Sequence, residues 1–163
     1  AKAELAKCPT GEYQVNVLDV QAITIHVIKS EEQEHYVPDA KNVYITAPAA
    51  MKSPNAEFIL DLSMAIRESE QLLLGFTLPD RESDPQRHAD MYHSRQLDLI
   101  VNMFKVAEEM QKTNNSRVFL DKIENYGYGN LYKTYVEGVP QTELIAEYIT
   151  HATNAIEGQT SAN

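Results

Sequence analysis

Tyr13-Gln14-Val15-Asn16-Val17, followed by Ile23-Thr24-Ile25-His26-Val27, is the stretch on which the fold turns. Apolar side chains alternate in both segments. That puts Tyr13, Val15 and Val17 on one face and Ile23, Ile25 and Val27 on another, as half-buried strands require. Leu18-Asp19-Val20-Gln21 breaks the alternation without a Gly or Asn turn, so the two segments read as one bulged strand or as two strands joined at a bend. Ser30-Glu31-Glu32-Gln33-Glu34 and Pro38-Asp39-Ala40-Lys41-Asn42 read as polar turns, and Val43-Tyr44-Ile45-Thr46-Ala47 as a further strand. The expectation is a small antiparallel sheet within residues 1–52, too small to stand without cover on one face.

Residues 53–163 read as about four helices. Ser53 precedes Pro54 as a capping hydroxyl, and Phe58, Leu62, Ala65, Ile66, Ser69, Leu72 and Leu73 follow the helical period, with Gly75 suited to end the helix. Asp84-Pro85 opens a second helix reaching about Lys112, with Tyr92, Leu99, Met103, Val106 and Met110 in one stripe. A short helix over Arg117–Glu124 buries Phe119, Leu120 and Ile123. A last one opens at Pro140 and carries Leu144, Ile145, Tyr148, Ile149, Ala152 and Ile156 before Gly158. No linker and no repeat interrupts this order, so the whole of 1–163 is expected to be one α+β domain, its β-rich part ahead of its helical part.

The chain has 163 residues, of which 43% are apolar and 23% charged, an ordinary globular composition. Its 24 acidic and 14 basic side chains leave a net charge of −10. The acid is spread along the chain: seven acidic against five basic side chains over 1–53, eleven against six over 54–115, and six against three over 116–163. Sequence-independent nucleic-acid binding needs clustered Lys and Arg to displace counterions, so no direct nucleic-acid partner is expected. No apolar run approaches the ~18–20 residues that cross a bilayer, and no membrane partner is expected. Cys8 is the only cysteine, which excludes an intrachain disulfide. Leu5-Ala6-Lys7-Cys8 has the outline of a lipoprotein processing site, but Lys7 stands where a small residue is needed. The start at Ala1 is the one expected after removal of an initiator Met. The polar end Gly158-Gln159-Thr160-Ser161-Ala162-Asn163 is of the kind that needs a neighbouring subunit to order it.

Chemistry-bearing motifs are few. Asp84, His88, Asp90 and His93 share one amphipathic stretch, but five residues of helix separate the two imidazoles by about 140° around the axis, so they cannot share one ion. His26, His35 and His151 fall in separate elements, and neither a metal nor a cofactor is expected. There is no nucleophile elbow and no phosphate-binding glycine loop. An enzyme assembled from dispersed residues such as Asp84, His88 and His93 stays open as an alternative.

Tyr135-Val136-Glu137-Gly138-Val139-Pro140-Gln141-Thr142-Glu143-Leu144-Ile145-Ala146-Glu147-Tyr148-Ile149 looks like the opening of a helix-turn-helix unit. Against that, Thr150 stands where its turn wants Gly. Residues 134–163 also hold Glu137, Glu143, Glu147 and Glu157 but no Lys or Arg, so a recognition helix would lack the phosphate contacts that hold register. The expectation is a plain amphipathic packing helix. Tyr126, Tyr128, Tyr132 and Tyr135 gather four of the nine tyrosines into ten residues, and tyrosine suits protein interfaces because it offers large area with few rotors. Together with Tyr148 they form the expected protein-contact surface. The reading that follows is a non-enzymatic structural or interaction subunit contacting other protein subunits as a homo-oligomer, a viral or phage particle being one such assembly. That leaves its location between cytoplasm and virion. An acidic inhibitor that imitates DNA to capture a host protein is the other interaction reading.

Overall fold

A computed structural model describes residues 1–28, 39–47, 51 and 53–160; of 154–160 it describes only the backbone. The element order is α1 (Lys2–Leu5), α2 (Pro9–Val20), β1 (Thr24–Ile28), β2 (Asn42–Thr46), α3 (Ala56–Leu73), α4 (Pro85–Asn114), α5 (Val118–Asn125), α6 (Gly129–Val136) and α7 (Gln141–Thr160). The class is α+β, with two strands near the N-terminus and seven helices among the described residues. The contacts divide the chain into two compact units. Unit 1 comprises residues 1–77 and 99–123, and unit 2 comprises 78–98 and 124–163.

Tyr13–Val17 is helix, which corrects the strand read there and with it the β-rich character of residues 1–52. Pro9 occupies the first turn of α2, where its missing N–H costs nothing. The face that α2 buries is Gly11, Gln14 and Leu18, spaced i, i+3 and i+7. Gly11 lies so close to α1 that a Cβ there would sit 2.0 Å from the Leu5 carbonyl oxygen. The alternating apolar residues fall outside this face, with Tyr13 57% exposed and Val15 and Val17 half-buried. Their period of two was therefore no sign of a buried strand face. Cys8, at the N-cap, supplies no side-chain cap bond. Glu109 of α4 does so instead, its carboxylate accepting from the Thr10 amide at 2.7 Å and the Thr10 hydroxyl at 2.8 Å.

β1 and β2 pair in parallel, in register from Thr24 opposite Asn42 to Ile28 opposite Thr46, where an antiparallel meander was expected. The reason lies in the connection. Thirteen residues (29–41) separate the strands, far longer than a hairpin turn and long enough for the crossover that parallel pairing needs, about a dozen residues. The turn expected at 30–34, Pro38 and His35 lie outside the described residues. Val43 and Ile45 are buried, and β2 packs against α3.

In α3 the cap is Asn55, whose Oδ1 accepts from the Phe58 amide at 2.9 Å, so the helix starts two residues after the expected Ser53-Pro54 signal. It buries Phe58, Ile59, Leu60, Leu62 and Ile66, and Gly75 follows it with a left-handed φ of 80°. α4 begins at Pro85 as expected, with Asp84 capping through Oδ1 to the Arg87 amide at 3.1 Å. Its second half brings Ile100, Met103, Phe104, Ala107 and Met110 into the core, and Phe119 and Ile123 of α5 join them. A polar triad sits inside this apolar unit. Gln14 Nε2 donates to the Ser63 carbonyl at 2.8 Å, and Asn102 Nδ2 donates to the Ser63 hydroxyl at 2.8 Å. This ties α2, α3 and α4 at one level. No described helix is long and apolar enough to cross a membrane.

Candidate functional site

The tyrosine segment is in large part the helix α6. Gly127, with a φ of 83°, ends the α5 turn, its amide donating to the Glu124 carbonyl at 2.9 Å. Gly129 then opens α6 behind Tyr128. Tyr132 and Tyr135 lie on α6 with ring centroids 6.3 Å apart and planes 32° apart, both half-buried, beside an exposed Val136. Tyr126, in the link before α6, is also half-buried.

The remaining two tyrosines turn inward within unit 2. Tyr128 meets His151 of α7 at 5.2 Å between centroids. Tyr148 is 8% exposed and meets His93 of α4 edge-to-face at 5.9 Å. Burial lifts both hydroxyls above the ordinary tyrosine range, that of Tyr148 to about 12, with the nearby Tyr128 and Tyr92 adding to the push. Tyr92 closes the group by an edge contact to His93 at 5.7 Å. It is partly exposed instead of lying in the buried stripe expected of α4. Tyr92, His93 and His151 were not foreseen as partners of the tyrosines, because nothing in spacing reports a meeting between different helices.

The residues of the enzymatic alternative take separate tasks. Asp84 caps α4, and His88 Nδ1 donates to the Pro79 carbonyl at 2.7 Å, which pins the preceding loop. His93 is held among aromatic rings, and its buried Nδ1 meets no hydrogen-bond partner. Among the described residues no three His, Cys, Asp or Glu side chains gather as a metal would need. Cys8 is buried at the start of α2, and desolvation pushes its thiol up to about 11, the reverse of what a nucleophile requires.

The resemblance to a helix-turn-helix unit also ends here. α7 continues through Thr150 as one helix, where the unit would need a turn. The Thr150 and Thr153 hydroxyls bond back to the carbonyls of Ala146 and Ile149 at 3.0 and 2.9 Å. The turn between α6 and α7 falls instead at Gly138, with a φ of 72°.

A second surface lies wholly in unit 1 and was not visible in the sequence. Tyr13, Asn16, Val17 and Val20 of α2, with Gln21 just past its end, face Arg67, Glu70 and Leu73 of α3 and the following Leu74 across an open cleft of about 460 Å³. Glu70 is almost buried at its side. It accepts from the Tyr13 hydroxyl at 2.8 Å and from Arg67 at 3.1 Å, so the one cation among these residues is already paired. Compared with family models, with curated proteins and with solved structures, the chain matches none.

Proposed function

We propose that this chain acts through protein–protein contact, as a non-enzymatic subunit of a homomeric assembly of the kind from which a viral or phage particle is built. The observation that carries this reading is the α6 surface, where the half-buried pair Tyr132 and Tyr135 adjoins exposed Val136. Rings of this kind offer large area with little rotamer entropy left to lose on association. Tyr128 and Tyr148 tie the link before α6 to α7, and α7 to α4, through His151 and His93. Exposed Ile149 on α7 supplies a further apolar contact point.

Light scattering at micromolar concentration tests the reading directly. The expected result is an oligomer that Val136→Glu dissociates with little change in melting temperature, because Val136 is already solvent-exposed. Replacing Tyr126, Tyr128 and Tyr132 together by Ser should dissociate it as well. A chain that is strictly monomeric overturns the reading. So does a triple variant that melts far lower while an assembly persists, since the tyrosines would then serve intrachain packing alone. A monomer that captures a DNA-binding protein would establish the acidic-mimic alternative instead.

A further inference from the structure

Strand β1 has one neighbour and two edges. The Thr24 amide donates to the Lys41 carbonyl at 2.8 Å and the Ala47 amide to the Ile28 carbonyl at 3.4 Å, which fixes the side that faces β2. Alternate residues of a strand bond to the same side of a parallel ladder. Thr24, His26 and Ile28 therefore turn their backbone to β2, and Ile25 and Val27 turn theirs to the opposite edge. Among the described residues no other strand and no backbone group meets that edge. Natural sheets guard such edges with Lys, Pro or a bulge. Thr24-Ile25-His26-Val27-Ile28 holds no Lys and no Pro, and its register with β2 is unbroken. Its one titratable side chain, His26, is turned to β2, with Nε2 on Asn42 Oδ1 at 2.9 Å and its ring stacked on Tyr44.

The side chains point the same way as the backbone. Ile25 and Val27 lie on the sheet face of Val43 and Ile45. β2 packs against α3 there and both of its residues are buried, yet Val27 beside them is 60% exposed. The apolar face thus runs on past its cover, at the edge where hydrogen-bonding groups stand open.

This edge is complementary to itself. A two-fold axis brings two copies of one edge together antiparallel, and their hydrogen-bonded pairs must then be made by Ile25 and Val27. Centred on His26, the register pairs all five residues of β1: Ile25 of each copy lies opposite Val27 of the other, with two main-chain bonds in each pair. Centres at Ile25 or Val27 would pair only three residues of each strand. The His26 register also joins Ile25 and Val27 of both copies in one apolar row. We infer that two copies of this chain pair through their β1 edges, antiparallel and centred on His26, into one continuous sheet of order β2–β1–β1–β2. Five residues a side are far fewer than the about 20–30 of a stable dimer, so this pairing is weak by itself and serves as a further contact within an assembly. It does not depend on the α6 surface, because β1 lies in unit 1 and α6 in unit 2.

The test is disulfide trapping of the full chain in a glutathione redox buffer, with Cys8→Ala as background. The non-hydrogen-bonded pair formed by His26 sets its Cα atoms about 4.5 Å apart, within reach of a disulfide, while the two copies of residue 27 are offset along the strands beyond the limit of about 7 Å. Exposure alone would favour Val27→Cys, since Val27 is exposed and His26 half-buried. The expected result is the reverse: His26→Cys forms a covalent dimer at least about tenfold faster than Val27→Cys. Equal or faster trapping of Val27→Cys overturns the inference. The natural chain gives a reading that needs no cysteine. Exchange of the Ile25 and Val27 amides should slow at least about tenfold as the chain is concentrated from micromolar to millimolar, and unchanged exchange overturns the inference too. Val27→Lys, an exposed change that sets a charge in the edge, should abolish this protection, and protection that persists in it counts against the pairing. If Val136→Glu dissociates an assembly while trapping and protection both fail, the β1 contact is wrong and the α6 reading stands. If trapping and protection succeed while Val136→Glu changes nothing, the reverse holds.

Discussion

Unit 1 and unit 2 are held by different kinds of side chain. Among the described residues 26 apolar ones are buried. All but Leu97, Leu131, Leu144 and Tyr148 belong to unit 1. Unit 1 closes an apolar core of aliphatic side chains and Phe58, Phe104 and Phe119 around α3 and the second half of α4, and stitches it with the Gln14–Ser63–Asn102 triad. Unit 2 has few aliphatic groups to bury and relies on tilted and edge-to-face ring contacts, with ten acidic and only four basic side chains in its sequence. A core of the first kind resists surface change but not loss of volume. A cluster of the second kind is sensitive to the state of its polar tips.

The largest effect that separates them is expected from Phe104→Ala. This ring is fully buried in unit 1, and its removal should cost about 3–5 kcal/mol, read by urea unfolding and by hydrogen exchange of unit 1 amides. A cost below about 1 kcal/mol would mean that the core of unit 1 is not the close-packed body described. Next comes Gly11→Ala. With Leu5 backbone oxygen 2.0 Å from the new Cβ, α1 or α2 must shift, at about 1–3 kcal/mol by thermal melting. An unchanged melt would show that α1 does not hold its place on α2.

Alkali should act in the opposite order, on unit 2. The folded chain favours the neutral phenols of Tyr128 and Tyr148, because burial raises their pKa values. The stability they contribute is complete below the ordinary tyrosine pKa of about 10 and is lost as pH rises toward the value of about 12 for Tyr148. Tyr148→Phe should remove the latest-titrating phenolate absorbance and flatten the loss of stability above about pH 10, while Tyr13 of unit 1, raised by its hydrogen bond to Glu70, titrates unchanged in the variant. The experiment belongs in a Cys8→Ala background, since burial also lifts that thiol of unit 1 to about 11. The smallest effect is expected from Val136→Ser, which changes an exposed side chain of α6 and should leave stability within about 0.5 kcal/mol.

How much of this was legible in the sequence depended on whether the decisive contact was local. The opening of α4 at Asp84-Pro85 and the end of α3 at Gly75 follow from a cap or a backbone angle that neighbouring residues set, and both were readable. The start of α3 was misplaced by two residues because Ser53-Pro54 and Asn55 are competing signals of the same type. α2 was unreadable for a stronger reason. Tyr13, Val17 and Val20 line the cleft and its buried face is a glycine, a glutamine and a leucine, so hydrophobic periodicity pointed the wrong way. The same inversion hid the cleft. The tyrosine segment was legible as a cluster but not as the helix α6, because Gly127 and Gly129 signal a turn whether or not a helix resumes behind them.

The cap that Glu109 places on Thr10 has a consequence in time. Ninety-nine residues separate the two, so the first turn of α2 finds its acceptor only after α4 has formed and docked. Helix α2 is therefore expected to consolidate late in folding, after the transition state. Glu109→Gln should therefore speed unfolding about tenfold while leaving the refolding rate nearly untouched, as stopped-flow kinetics in urea would record. The segment ahead of β1 is on this account among the last parts to settle.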